Sequence, residues 1–267
     1  HALLGVGVGS ERESQMVIMK WDGGKKSDKP VCLIGKGVTF DSGGISLKPG
    51  AGMWDMKGDM GGSAAVVGAM HALAARKAKA NVVGIVGLVE NMPDGKAQNP
   101  GDIVTSMSGQ TIEVQNTDAE GRVVLGDGVS LAARELGVDI ILDAATLTGA
   151  QMIATGSLHA AVVSNDDKVE RALVDAGKSS GDLTHPLPFA PAFYRPEFAS
   201  PIADMRNSVK NRANAQTSCA AEFIHWHLDG VKVRWGHVDL AGPSWRGDRG
   251  TGFGVALLAD AVRRLGQ

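Results

Sequence analysis

Apolar positions along this chain fall into two recurring patterns. Short, nearly continuous runs of strand length occur at VCLIG (31–35), VVGIVGLV (82–89), TIEV (111–114), the head of DIILDAATLTGA (139–150), AAVVS (160–164) and WGHVDLAG (235–242). Between them lie stretches of helix length near 60–77, 123–136, 168–177, 215–228 and 254–265. In the first of these, Val66, Val67, Met70 and Leu73 recur at three- and four-residue steps, which predicts a stripe facing a core. His71 beside the stripe reads as a structural or surface histidine. Runs without alternation are how strands look when helices cover both faces, so the pattern predicts an α/β fold, a three-layer α/β/α sandwich. Gly and Pro clusters sit between the elements and no composition break divides them, so residues 1–267 read as one domain.

Composition narrows the functional classes. Hydrophobic residues make up 43% of the chain and charged residues 21%, with a net charge of −2, which leaves no electrostatic footprint for nucleic acid. Cys32 and Cys219 are the only cysteines, too few for a disulfide scaffold, and a reducing cytoplasm fits them. The opening HALLGVGVGS lacks the basic start of a signal peptide, and no apolar run approaches the roughly eighteen residues of a membrane span. Neither export nor membrane insertion is expected. The start at His1, directly in an apolar run, suggests a remnant residue or the continuation of a longer chain.

The polar residues that packing does not explain fall after strand candidates. After VCLIG comes KGVTFDSGGISLKPGAGMWDMKGDMGG, carrying Lys36, Asp41, Lys48 and Asp59; after TIEV comes QNTDAEGR, carrying Asp118, Glu120 and Arg122. In open α/β sheets ligands sit outside the carboxyl ends of strands, so two such loops on neighbouring strands can share a crevice. If the four carboxylates converge, each pair at 4 Å repels by roughly 4 kcal/mol at an effective dielectric near 20. They then need protonation, the cations Lys36, Lys48 and Arg122, or divalent metal ions that take carboxylate oxygens as ligands. A plainer reading stays open at this point. Asp118 can be the N-cap of the next helix with Glu120 near its positive end, and Asp41 and Asp59 can be turn residues.

Other motifs are absent or weak. The GKG at 35–37 is not a phosphate-binding loop, since the lysine of that motif precedes Ser or Thr, and GVGVGS at 5–10 lacks the third dinucleotide-binding glycine. No HExxH, CxxC or GxSxG occurs; His225 and His227, two apart on a predicted helix, point to different faces.

Taken as whole strings, LIGKGVTFDSGGISLKPGAGMWDMKGDMGG and VQNTDAEGRVVLGDGV resemble the two signature segments of the cytosol (leucyl) aminopeptidase family, and DAATLTGA and GTGFGVALL continue the likeness. The resemblance covers essentially the whole chain. It implies a metallo-aminopeptidase catalytic domain over 1–267 built on a mixed, largely parallel sheet, with the family's N-terminal domain absent from this chain. It also implies two divalent ions, zinc or manganese before cobalt or magnesium. Lys36, Asp41, Asp59 and Glu120 would hold one ion and Asp41, Asp118 and Glu120 the other, with Lys36 as a neutral amine. A metal-bridged hydroxide would attack the scissile carbonyl, Lys48 would stabilise the oxyanion, and Arg122 would hold a bicarbonate that carries protons. Met56, Thr146 and Gly149 would line the pocket for the first side chain of a peptide with a free N-terminus, Leu or another apolar residue preferred, and the Leu147 carbonyl would accept the substrate's amine. Family members are hexamers of the cytoplasm, so a homohexamer is expected. Trp54 departs from the family pattern in the loop after PGAGM and bears on loop motion or substrate preference. The rivals are a two-metal phosphoesterase and an inactive structural or DNA-binding relative.

Overall fold

The computed structural model describes residues 1–266. In chain order the strands that matter here are β1 (Gln15–Asp22), β2 (Val31–Asp41), β3 (Asn81–Asn91), β4 (Ile103–Thr105), β5 (Thr111–Glu113), β6 (Ile140–Ala145), β7 (Ala160–Ser164), β8 (Thr184–Pro186), β9 (Met205–Arg206) and β10 (Arg234–Asp239). The helices are α1 (Ala2–Gly7), α2 (Gly61–Ala75), α3 (Glu120–Glu135), α4 (Gly149–Thr155), α5 (Asp167–Ser180), α6 (Pro191–Tyr194), α7 (Gln216–Trp226) and α8 (Val255–Leu265). Every apolar run becomes a strand, and every stretch of helix length becomes a helix within a few residues of its expected ends.

The central sheet has the order β1-β3-β2-β6-β10-β7-β8. Its middle strands β3, β2, β6 and β10 run parallel, whereas β1 pairs antiparallel with β3 and β7 antiparallel with β10. The sheet is therefore mixed and largely parallel, as expected. β1 escapes the apolar-run reading because it is an edge strand: QMVIMKWD alternates between exposed and half-buried positions along most of its length.

Helices cover both faces. On one side α2, α5 and α8 bury Val66, Met70, Leu73, Leu173 and Leu258 against Leu33 and Leu142 of the sheet. Val67 is the exception to the predicted stripe; it turns outward and is 46% exposed. His71 is exposed on the same helix, in line with its reading as a surface residue. On the other side α3 and α7 bury Leu125, Val129 and Ile224 against Ile34, Ile141 and Trp235. A third cluster, built from Leu3, Ile112, Val124, Phe198 and Phe223, joins α1 to a small sheet of β4, β5 and β9.

That small sheet corrects one expectation. The strand leading into NTDAEGR is β5, which pairs with β4 and β9 and not with β2. The motif reaches the central sheet because α3, which begins inside it, packs across β2 and β3.

The parallel strands place their carboxyl ends along one edge, so Asp41, Asn91, Thr146 and Asp239 all emerge there. Close helix-to-sheet packing sets the height of that edge. A Cβ on Gly62, at the start of α2, would lie 2.0 Å from the Ala144 carbonyl oxygen. Gly62→Ala should therefore cost about 1–3 kcal/mol through overpacking, read as a lowered urea midpoint. An unchanged midpoint would contradict this packing.

Candidate active site

The long β2 strand carries the first half of the site. Lys36 and Asp41 lie on the strand itself and not in the loop that the apolar run VCLIG suggested. Side chains five apart on a regular strand face opposite sides, but the pairing shifts between Val38 and Phe40, where two steps of β2 oppose one of β3. That bulge returns both residues to the same crevice. Asp41 then takes an amide hydrogen of Asn91 at 2.8 Å and the Gly43 N–H at 2.9 Å, both on Oδ1.

The NTDAEGR segment carries the second half. The N-cap of α3 is Ala119, without a side-chain cap bond, so Asp118 is not the cap that the plainer reading offered. Glu120 is the first residue of the helix, where its charge meets the positive end of the helix dipole. Gly121 follows because a Cβ there would lie 2.5 Å from Lys36 Cε and 2.7 Å from its Nζ. The loop is tied to its counterpart after β2: the Thr117 hydroxyl donates to the Gly43 carbonyl at 2.6 Å, and Ser46 and Thr117 exchange two backbone-to-hydroxyl bonds.

The charges interlock. Lys36 Nζ lies 2.7 Å from Asp59 Oδ2 and 2.9 Å from Glu120 Oε1, and Lys48 Nζ lies 2.8 Å from Asp41 Oδ2 and 2.5 Å from Asp118 Oδ1. These are ion-pair distances, yet among the described residues the buried oxygens Asp59 Oδ2, Asp118 Oδ1 and both Glu120 oxygens receive no hydrogen bond of proper direction. Ligand atoms of Asp41, Asp118 and Glu120 lie within 4.8 Å of one another. Buried acceptors without aligned donors, packed this closely, form a donor set that fits hard divalent cations.

Burial dominates the titration of these groups. It raises Glu120 to about 8 and Asp59 to about 6, with Lys36 opposing in both cases, and raises Asp118 against Lys48. Burial alone would favour the neutral amine of Lys36, but Asp59, Glu120 and Asp41 outweigh it and hold the amine above its ordinary value. Arg122 is pulled down by burial to about 10, with Glu120 and Cys219 opposing, so it stays cationic at neutral pH. Its Nη1 donates to the Asn207 carbonyl at 3.1 Å, whereas its buried Nε has no partner among the described residues.

All eleven residues that the family resemblance assigned to the site line one cleft of about 730 Å³: Lys36, Asp41, Lys48, Met56, Asp59, Asp118, Glu120, Arg122, Thr146, Leu147 and Gly149. Thr146 does more than line it, since its hydroxyl donates to Asp59 Oδ1 at 2.8 Å and its carbonyl accepts from Lys36 Nζ at 3.2 Å. His225 and His227 lie outside the cleft lining. Trp54 is 55% exposed, and Lys57 Nζ sits 4.5 Å from its ring centroid.

Residues 1–259 match the cytosol aminopeptidase family, catalytic domain. The chain belongs to the cytosol aminopeptidase family. It is 52% identical over 264 residues to a probable cytosol aminopeptidase of Nitrobacter winogradskyi, covering 96% of this chain and 52% of that one. A probable cytosol aminopeptidase of Xanthobacter autotrophicus is 51% identical over 274 residues, covering 98% and 53%. The chain thus spans about half the length of the curated relatives it matches. Among solved structures, leucyl aminopeptidase from Trypanosoma brucei in complex with actinonin superposes with a TM-score of 0.95 at 41% identity, covering 99% of this chain and 52% of that one. The bottromycin maturation enzyme BotP in complex with Mn gives 0.92 at 38%, covering 100% and 59%.

In this family member some supporting residues carried no sequence signal. Asn91 ends an apolar strand, a place where a polar residue is a weak hint. Asn207 offered none, because it lies in an irregular stretch far along the chain. Fully buried, it accepts the N–H groups of Gln115 and Asn116 on Oδ1 and donates to the Asn116 carbonyl at 2.6 Å, which fixes the approach to Asp118.

The raised acids make stability depend on pH in a definite direction. Glu120 binds its proton more tightly in the folded than in the unfolded chain. Its contribution is complete below its ordinary value of 4.5 and is lost as pH rises through about 8. In chelator-treated protein the melting temperature should fall from about pH 5 to about pH 8, and Glu120→Gln should flatten most of that slope. A wild-type melting temperature that rises across this window would contradict the assignment.

Proposed function

We propose that this chain is the catalytic domain of a two-metal aminopeptidase that removes the N-terminal residue from peptides. The observation that carries the reading is the nest of Asp41, Asp59, Asp118 and Glu120 around Lys36 and Lys48, in which Asp59 Oδ2, Asp118 Oδ1 and both Glu120 oxygens lack aligned donors among the described residues. Lys36, Asp41, Asp59 and Glu120 would hold one divalent ion and Asp41, Asp118 and Glu120 the other, so that Asp41 and Glu120 are shared. The oxygen-rich donor set suits zinc or manganese and also admits cobalt or magnesium. Such ions supply Lewis acidity, lowering the pKa of a water from 15.7 to about 7 and polarising a carbonyl.

The chain's own residues supply the rest. Lys36 must give up its proton to serve as a ligand, which the neighbouring cations would favour over the carboxylate field it now feels. Lys48 stands at the open side, 21% exposed, within reach of Asp41 and Asp118, and its ammonium meets the charge that develops on the attacked carbonyl. Arg122 keeps a buried Nε with no partner among the described residues; its guanidinium would hold a bicarbonate, a group that supplies a proton carrier when bound. The Leu147 carbonyl would accept the substrate's free amine. Met56, Thr146 and Gly149 line the cleft, and the soft, apolar Met56 side chain would suit Leu or Met as the first residue.

Substrates would be peptides with a free N-terminus, and the assembly a homohexamer in the cytoplasm. The relatives' name of cytosol aminopeptidase and the absence, among the described residues, of a helix long and apolar enough to cross a membrane support that location.

Metal-stripped protein should recover release of p-nitroaniline from leucine p-nitroanilide when zinc or manganese is returned, and should leave the N-acetylated substrate intact. Glu120→Gln and Asp118→Asn should each lower turnover by at least about 100-fold without changing the far-ultraviolet circular dichroism spectrum. Near-normal turnover in both variants would overturn the ligand assignment. Turnover of p-nitrophenyl phosphate without any peptidase activity would point to a phosphoesterase.

A further inference from the structure

One fully buried carboxylate lies behind the cleft wall and outside the charged nest. Asp239 ends β10 and is 0% exposed. Its Oδ1 accepts the N–H of Leu147 at 3.1 Å and of Ala241 at 3.3 Å, and its Oδ2 accepts the Thr148 hydroxyl at 2.7 Å. Among the described residues no Lys or Arg nitrogen stands at ion-pair distance from it, so the nearby His237 and these donors are what oppose its burial.

The Thr148 hydroxyl extends the network. It caps α4 by accepting the Gln151 N–H at 3.1 Å, and since its own hydrogen goes to Asp239, the Thr217 hydroxyl at 3.1 Å must donate to it. Gln151, also 0% exposed, accepts the Gly242 N–H at 2.6 Å. Three cleft-lining segments therefore meet behind the wall: 146–149 after β6, 241–242 after β10, and the start of α7, where Gln216 faces the cleft.

We propose that Asp239 is a positioning residue that sets the shape of the pocket for the substrate's first side chain, acting through Leu147 and Thr148 without touching substrate. The inference rests on the peptidase reading for its substrate and on the hydrogen bonds for its mechanism. Without Asp239 the Leu147 N–H is a buried donor with no acceptor and the Thr148 O–H is left only the Thr217 hydroxyl, so the turn must move to regain partners. A long side chain that packs against the turn then loses contact, whereas a methyl group that never reaches it loses little. Differences of one or a few methylenes in such a pocket correspond to roughly 10- to 200-fold in kcat/KM.

The test uses the purified protein with manganese and three variants: Asp239→Asn, which keeps volume but turns an amide donor toward Thr148; Thr148→Val, which removes the hydroxyl; and Thr148→Ser, which restores it. Asp239→Asn and Thr148→Val should lower kcat/KM for leucine p-nitroanilide about tenfold and for alanine p-nitroanilide less than about threefold, with Thr148→Ser within about twofold of wild type. Amide exchange over 146–152 and 240–242 should accelerate at least about tenfold in the first two variants while the β2 segment 31–38 is unchanged. An equal fall on both substrates, or unchanged exchange in the turn, would overturn the proposal. If Asp239→Asn does not fold, Thr148→Val and Thr148→Ser decide it. If the wild type hydrolyses neither substrate, the peptidase reading fails on its own and exchange alone judges the clamp.

Discussion

Four carboxylates share one poorly solvated crevice, and their mutual repulsion is the constraint that the surrounding structure answers. Each pair brought to about 4 Å repels by roughly 4 kcal/mol at an effective dielectric near 20. Two lysines reduce this: Lys36 sits between Asp59 and Glu120, and Lys48 between Asp41 and Asp118. The lysines do not offset burial and the remaining repulsion together, so Glu120 and Asp59 still hold protons more tightly than free carboxyls do. A site that binds protons this readily, with four buried carboxylate oxygens unaligned to any donor among the described residues, is one in which divalent charge would replace proton charge at little structural cost.

The fold's contribution is placement. The bulge in β2 brings Lys36 and Asp41 to one side although their spacing is odd, and the absence of a side chain on Gly121 lets Lys36 lie against the first turn of α3. The segment before α3 begins in a different sheet, so its position depends on bonds that cross the chain: Thr117 to Gly43, and Asn207 to Asn116. Rigid strands thus carry part of the nest, and a loop held by buried amides carries the rest. This is the arrangement expected where several charges must keep fixed separations.

Much of this was legible in the sequence, and the physical reasons differ by element. Central strands buried on both faces leave continuous apolar runs, so β2, β3, β6, β7 and β10 stood out, whereas the alternating edge strand β1 did not. The site residues were visible as polar side chains that packing did not require, and the NTDAEGR string tied them to a family. What the sequence withheld was everything decided by contacts between distant segments. It gave no sign that β5 leaves the main sheet, that Val67 turns outward, or that β2 runs on to Asp41 through a bulge. Nor could it show Asn207 and Asp239 as supports, because a buried amide or carboxylate looks like any loop polar residue until its partners are known.

Equilibrium dialysis of the protein against manganese, with bound metal counted by elemental analysis, reads the capacity of the carboxylate nest for divalent ions. Two ions per chain are expected in the wild type and one in Asp59→Asn, which on the proposed assignment removes a ligand from only one of the two positions. Binding of no manganese by folded wild-type protein, or two ions retained in Asp59→Asn, would contradict it.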